Sequence, residues 1–101
     1  MMKVEVYLPE EDVEKMVDVL HEAGYLIMGS YDHVYATQEV LGHWRPLEGS
    51  QAYEGSVGVI SREKEVLLSF RANKNERKAL EALVKIHHPY ETPRIDFFEL
   101  I

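Results

Sequence analysis

Apolar and polar residues alternate from the first turn of the chain. Val4, Val6 and Leu8 interleave with Lys3, Glu5 and Tyr7, the period-two pattern of a half-buried strand. Pro9 follows where a helix can begin without needing its missing N–H. Glu10, Glu11 and Asp12 then occupy a first turn whose dipole favours negative charge. Val13, Met16, Val17 and Leu20 recur at helical spacing, and Gly24 is a natural stop. The pattern predicts a strand over residues 3–8 and a helix over 10–23.

The second half repeats this order. Val66, Leu68, Phe70 and Ala72 alternate with Glu65, Leu67, Ser69 and Arg71. Asn73 with Glu76 three residues later resembles a capping box. Leu80, Leu83 and Val84 mark the buried stripe of a helix, supported by an i,i+4 pair of Glu81 and Lys85. Pro89 ends that helix, and a last strand is expected over residues 94–100. Between the halves, Tyr31 to Val40 reads as a strand through Val34, Tyr35 and Thr37. The order β-α-β, long connection, β-α-β predicts one α+β domain over residues 1–101. Its expected fold is a ferredoxin-like split β-α-β sandwich, a four-stranded sheet with two helices on one face.

That arrangement leaves one sheet face in need of cover. Phe97 and Phe98 are adjacent, so they point to opposite faces, and one is expected to meet a neighbouring subunit. The connection over residues 41–60 carries Gly42, Gly49, Gly55, Gly58 and the single tryptophan, Trp44. A loop of that length in a small domain is usually a functional loop, an extra hairpin or an oligomer contact.

Composition narrows the function classes. The chain has no cysteine, which excludes disulfides, thiolate metal ligands and thiol nucleophiles. A net charge of −7 with scattered basic residues repels phosphate backbones, so no nucleic-acid partner is expected. No apolar run has bilayer length and no signal-peptide pattern is present. The mature chain is therefore expected to start at its opening strand and to reside in the cytoplasm, with no membrane partner.

Several stretches, taken in order, resemble one family. They are Gly29-Ser30-Tyr31-Asp32, then Gly42-His43-Trp44-Arg45-Pro46-Leu47-Glu48-Gly49-Ser50, loosely Tyr53-Glu54-Gly55, and the closing His88-Pro89-Tyr90-Glu91-Thr92-Pro93 with Asp96. Together they are similar to the PII/CutA-like domain inserted in YqfO-type dinuclear-metal-centre proteins, relatives of the NGG-interacting-factor family. The closing segment alone also resembles the CutA family. The resemblance covers about residues 24–101. It implies a PII/CutA-like fold and a trimer. It does not carry over the activity of the long proteins, whose metal-binding core is not expected within these residues. The family's Cys-Ser-Phe is replaced here by His33-Val34-Tyr35, which removes any role resting on that cysteine.

Two constellations could carry chemistry. His87 and His88 end a helix, where the dipole favours cations, and imidazole with carboxylate suits a divalent transition metal. His88 and Glu91 would need donors from elsewhere, and His33, His43 and Glu48 are the nominees. Against this, spacing supplies only two ligands where a site needs three or four, so a structural turn built by His88 and Glu91, with Tyr90 packed beneath, is the preferred reading. The second constellation is Trp44-Arg45-Pro46. An arginine beside an indole can hold a carboxylate or a planar ligand, yet the same residue types concentrate at subunit interfaces, and the interface is favoured.

Tyr31 and Tyr90 complete the nominated cofactor-binding set with Trp44 and Arg45. No nucleophile elbow, zinc-protease helix or phosphate loop is present, so no catalysis is expected. The sequence thus points to an oligomeric binding or regulatory domain with a small ligand or metal at subunit clefts. The alternative is an interaction domain that partners a separate YqfO-type protein.

Overall fold

A computed structural model describes residues 1–51 and 55–101. Tyr53 and Glu54, part of the resemblance noted above, lie outside the described residues. The elements are β1 (Met2–Leu8), α1 (Val13–Glu22), β2 (Ala36–Trp44), β3 (Ser61–Ala72), α2 (Arg77–His87) and β4 (Ile95–Glu99). Each helix is entered through a one-turn 3-10 segment, Glu10–Asp12 before α1 and Lys74–Glu76 before α2.

The four strands form one antiparallel sheet in the order β2-β3-β1-β4. This is the split β-α-β arrangement expected from the alternation of strand and helix patterns. β1 is central, pairing with β3 from Met2↔Ala72 to Leu8↔Val66 and with β4 from Met2↔Glu99 to Val6↔Ile95. Opposed residues share a face, so Val4, Val6 and Leu8 line up with Val66, Leu68 and Phe70. These side chains are buried against Met16, Val17 and Leu20 of α1 and Leu80 and Val84 of α2. Burying each such side chain contributes about 1.5–3 kcal/mol relative to exposure. This face explains why the two alternating strand patterns and the two helical stripes agree.

Lys3, Glu5, Tyr7, Leu67, Ser69 and Arg71 point to the other face, which no helix covers. Phe97 packs against the core while Phe98 stands 47% exposed on the open face, so Phe98 is the outward member of the pair.

Two local expectations differ from the structure. The strand expected over residues 31–40 lies instead at Ala36–Trp44. Tyr31 is used in a tight turn in which Met28 and Tyr31 exchange backbone hydrogen bonds of 2.9 and 3.0 Å. His33 adopts φ 54, a left-handed conformation that cannot continue a strand. The long β3 offers partners as far as Ser61, so β2 pairs to Trp44 and the connection begins four residues later than expected. The Asn73–Glu76 capping box is only half made. Asn73 Oδ1 accepts from the Asn75 N–H at 3.3 Å, whereas the Glu76 carboxylate turns away to accept from Tyr25 Oη at 3.0 Å.

Candidate functional site

The open sheet face carries a cleft of about 820 Å³. Its floor is Tyr7 from β1, Glu65 from β3, and Val40, Gly42 and Trp44 from β2, which the strand register places on one face. Its walls are Arg45, Pro46, Leu47 and Ser50 from the β2–β3 connection and Tyr90, Glu91, Thr92 and Arg94 between α2 and β4.

Glu65 is the unusual residue. A carboxylate is seldom buried unless paired, yet Glu65 is only 8% exposed. Gly42 makes room for it, because a Cβ on Gly42 would fall on the Glu65 carboxylate. Tyr90 Oη donates to Glu65 Oε2 at 2.8 Å. The Tyr90 ring also lies 6.2 Å from the Trp44 ring at 47°, a tilted aromatic contact. Trp44, Tyr90 and Glu65 thus form one aromatic and acidic corner.

The segment after α2 is fixed by His88. α2 ends there because His88 takes an extended conformation before Pro89. Its Nε2–H donates to the Tyr7 carbonyl at 2.6 Å, and the Tyr90 N–H donates to its Nδ1 at 3.1 Å. This pair of bonds defines a neutral imidazole protonated on Nε2. Burial pushes the His88 pKa below its ordinary value, opposed by the Tyr7 carbonyl and by the charges of Asp12 and Glu65. Glu91 accepts from the Gln51 N–H at 2.9 Å and ties the two walls together.

Arg94 lies 4.1 Å over the Tyr7 ring and donates to Asp96 at 3.3 Å. Arg45 makes no ion pair among the described residues, and Ser50 Oγ is buried without a partner among them. An arginine and a hydroxyl therefore stand beside the acidic corner with hydrogen-bonding capacity to spare.

Of the nominated residues, Trp44, Arg45, Tyr90 and Glu91 line the cleft, and His43 borders it from a strand position whose side chain faces away. Tyr31, 75% exposed, lies in the turn after α1 and does not. The nominated metal set of His88, Glu91, His43 and His33 is not assembled within the chain. Both His88 nitrogens are occupied, His43 leaves β2 on the face opposite Trp44, and His33 stacks on His21 with ring centroids 4.0 Å apart. Glu65, Tyr7, Arg94 and Ser50 escaped the sequence reading. Glu65 could be found only by noticing that it and Gly42 occupy neighbouring outward positions, which requires the register.

Comparison with known proteins bears on the fold. The family profile of the CutA1 divalent ion tolerance protein matches residues 53–100. A Staphylococcus aureus protein named GTP cyclohydrolase 1 type 2 homolog is 32% identical over 98 residues, which are 97% of this chain and 27% of that protein. The chain therefore spans about a quarter of the length of the curated relatives it matches. A Bacillus cereus protein related to NIF3 superposes with a TM-score of 0.79 at 30% identity, covering 98% of this chain and 25% of that one. Pyrococcus horikoshii CutA superposes with a TM-score of 0.72 at 24% identity, covering 99% of this chain and 84% of that one. Among the described residues no helix is long and apolar enough to cross a membrane. The chain has a CutA/PII-like fold and is similar to one segment, about a quarter, of longer NIF3-related proteins.

Proposed function

We propose that the domain is an oligomeric binding module whose cleft on the open sheet face takes a small organic ligand. The observation that carries this reading is the buried Glu65 carboxylate, set between Tyr90 and Gly42 at the floor of an 820 Å³ cleft. A volume of that size suits a small molecule. Glu65 would accept hydrogen bonds from a ligand N–H, Trp44 would present an aromatic surface, and Arg45 with Ser50 would hold an oxygen-bearing group. A planar or zwitterionic nitrogen compound meets all three demands, and the net charge of −7 favours neutral or cationic species over polyanions. The reading assigns no reaction to the domain.

Assembly is part of the proposal. Phe98 and the uncovered sheet face need a neighbour, and a trimer of this chain, as the family resemblance implies, would supply it. The test is native mass spectrometry of gently purified protein, followed by the same measurement on Trp44→Ala and Glu65→Gln. A trimer carrying an organic mass that both substitutions remove would support the reading. A monomer, or a bound mass indifferent to both substitutions, would overturn it.

A second reading has its own observation. Leu41, Leu47, Val57, Val59 and Ile60 are all more than half exposed along β2 and the β2–β3 connection, and the longer relatives carry about three further quarters of sequence. An interaction domain that docks a separate protein through this arm would also explain them. Co-purification of that protein, lost on Val59→Asp but not on Trp44→Ala, would favour this second reading.

A further inference from the structure

We propose that His21, Asp32 and His33 form a binding site for a divalent transition metal ion, at the C-terminal end of α1 and apart from the cleft. One ligand atom from each residue lies within 4.8 Å of the other two, the only such grouping of histidine and acidic side chains among the described residues. The donor set is already gathered in the folded chain.

The fold brings these residues together by specific means. α1 closes with Gly24 at φ 94, and Leu26 at φ 67 is buried in the core. The chain then turns back through the Met28–Tyr31 pair of hydrogen bonds, and the Val34 N–H donates to the Leu26 carbonyl at 2.9 Å. This closed loop carries Asp32 and His33 onto the last turn of α1, where His21 sits. The two imidazole rings meet at 4.0 Å, and His33 Nδ1 lies 3.2 Å from Asp32 Oδ1. A separation of about 3.3 Å is the edge expected between ligands around a tetrahedral ion with bonds near 2.0 Å.

Three further features suit a cation. His21 Nδ1 is buried with no hydrogen-bond partner among the described residues, so binding there breaks no internal contact. His21 sits in the last turn of α1, where the negative end of the helix dipole favours a cation. Two imidazoles with one carboxylate select zinc, nickel, cobalt or copper over calcium and magnesium, which prefer all-oxygen shells. Three protein ligands leave at least one position for water or for a donor from outside the chain.

An untagged, chelator-stripped protein should be titrated with Zn(II) by calorimetry and loaded with Cu(II) for electron paramagnetic resonance. The expected result is one ion per chain, with nitrogen couplings from the two imidazoles in the copper spectrum. His33→Ala and Asp32→Asn alter exposed residues, so they should fold normally, and each should weaken or abolish binding; His21→Ala should do the same. Trp44→Ala should bind metal as the parent does, which separates this site from the cleft and its organic ligand. Absence of stoichiometric binding, its survival in a His21→Ala/His33→Ala double variant, or its loss in Trp44→Ala would each overturn the proposal.

Discussion

Replacing His88 by alanine tests the clamp that joins β1 to the cleft wall. The substitution strands two backbone groups, the Tyr7 carbonyl and the Tyr90 N–H, that now bond the imidazole at 2.6 and 3.1 Å. Leaving a buried polar group without its partner costs about 1–3 kcal/mol. The two groups together imply about 2–6 kcal/mol, to which the loss of ring packing adds. For a domain of this size that is a fall on the order of 10–30 °C in midpoint temperature. The pH dependence sharpens the test. Burial holds the folded His88 pKa below 6.5, its value when unfolded. Between those two values the unfolded chain binds a proton that the folded chain refuses, so His88 makes stability rise with pH. Its contribution is complete above about pH 6.5 and is lost as the pH falls through the folded value. Urea unfolding at about pH 7.5 and about pH 5.5, at one protein concentration because assembly would shift the midpoint, should therefore give a wild-type-minus-variant difference that narrows at the lower pH. His88→Gln, which keeps a donor and an acceptor but cannot titrate, should recover part of the stability with no such narrowing. A difference equal at both pH values would refute the assignment of His88 as a buried neutral imidazole.

The other predictions concern the cleft and the open face. Gly42→Ala has no positive φ to strain, but its Cβ would displace the buried Glu65 carboxylate from its place beside Tyr90, so it should cost about 1–3 kcal/mol and abolish ligand binding in the cleft. Equal binding in parent and variant, by calorimetry, would contradict that role for Glu65. Tyr90→Phe removes the hydroxyl that satisfies Glu65 and should cost about 1–3 kcal/mol in urea unfolding. A double-mutant cycle with Glu65→Gln should show coupling, and strict additivity would argue against the bond. Phe98→Asp places a charge on the uncovered sheet face and should reduce an oligomer to monomers in light scattering. An unchanged mass would move the interface elsewhere.

Most of the fold was legible because its signals are periodic and mutually consistent. Two alternating strands and two amphipathic helices, all facing one core, admit few topologies. What was misplaced depends on pairing rather than on local pattern. Val34, Tyr35 and Thr37 have strand-forming side chains, but the strand starts at Ala36 because the closed loop after α1 consumes residues 28–34. Equally, residues 41–44 look like the start of a glycine-bearing loop, and they are strand only because β3 is twelve residues long and supplies partners. Neither fact is carried by the segment itself.

The site was legible in its aromatic and basic parts and illegible in its acid. Trp44, Arg45 and Tyr90 stand out by residue type, and all three reach the cleft. Glu65 reads as an ordinary outward residue of an alternating strand until Gly42 is seen beside it. The same limit separates the histidines. His88 next to His87 at a helix end looks more like a metal ligand than His21 does, yet the turn closes both of its nitrogens. His21 and His33, twelve residues apart in sequence, meet because a left-handed Leu26 and the Met28–Tyr31 turn reverse the chain. Ligand chemistry in this domain is thus set by where turns place a side chain and by what the neighbouring backbone has already claimed from it. On that ground the His88 clamp and the proposed His21–Asp32–His33 site make opposite forecasts: substitution at His88 should alter folding and leave metal binding intact, and substitution at His33 should do the reverse.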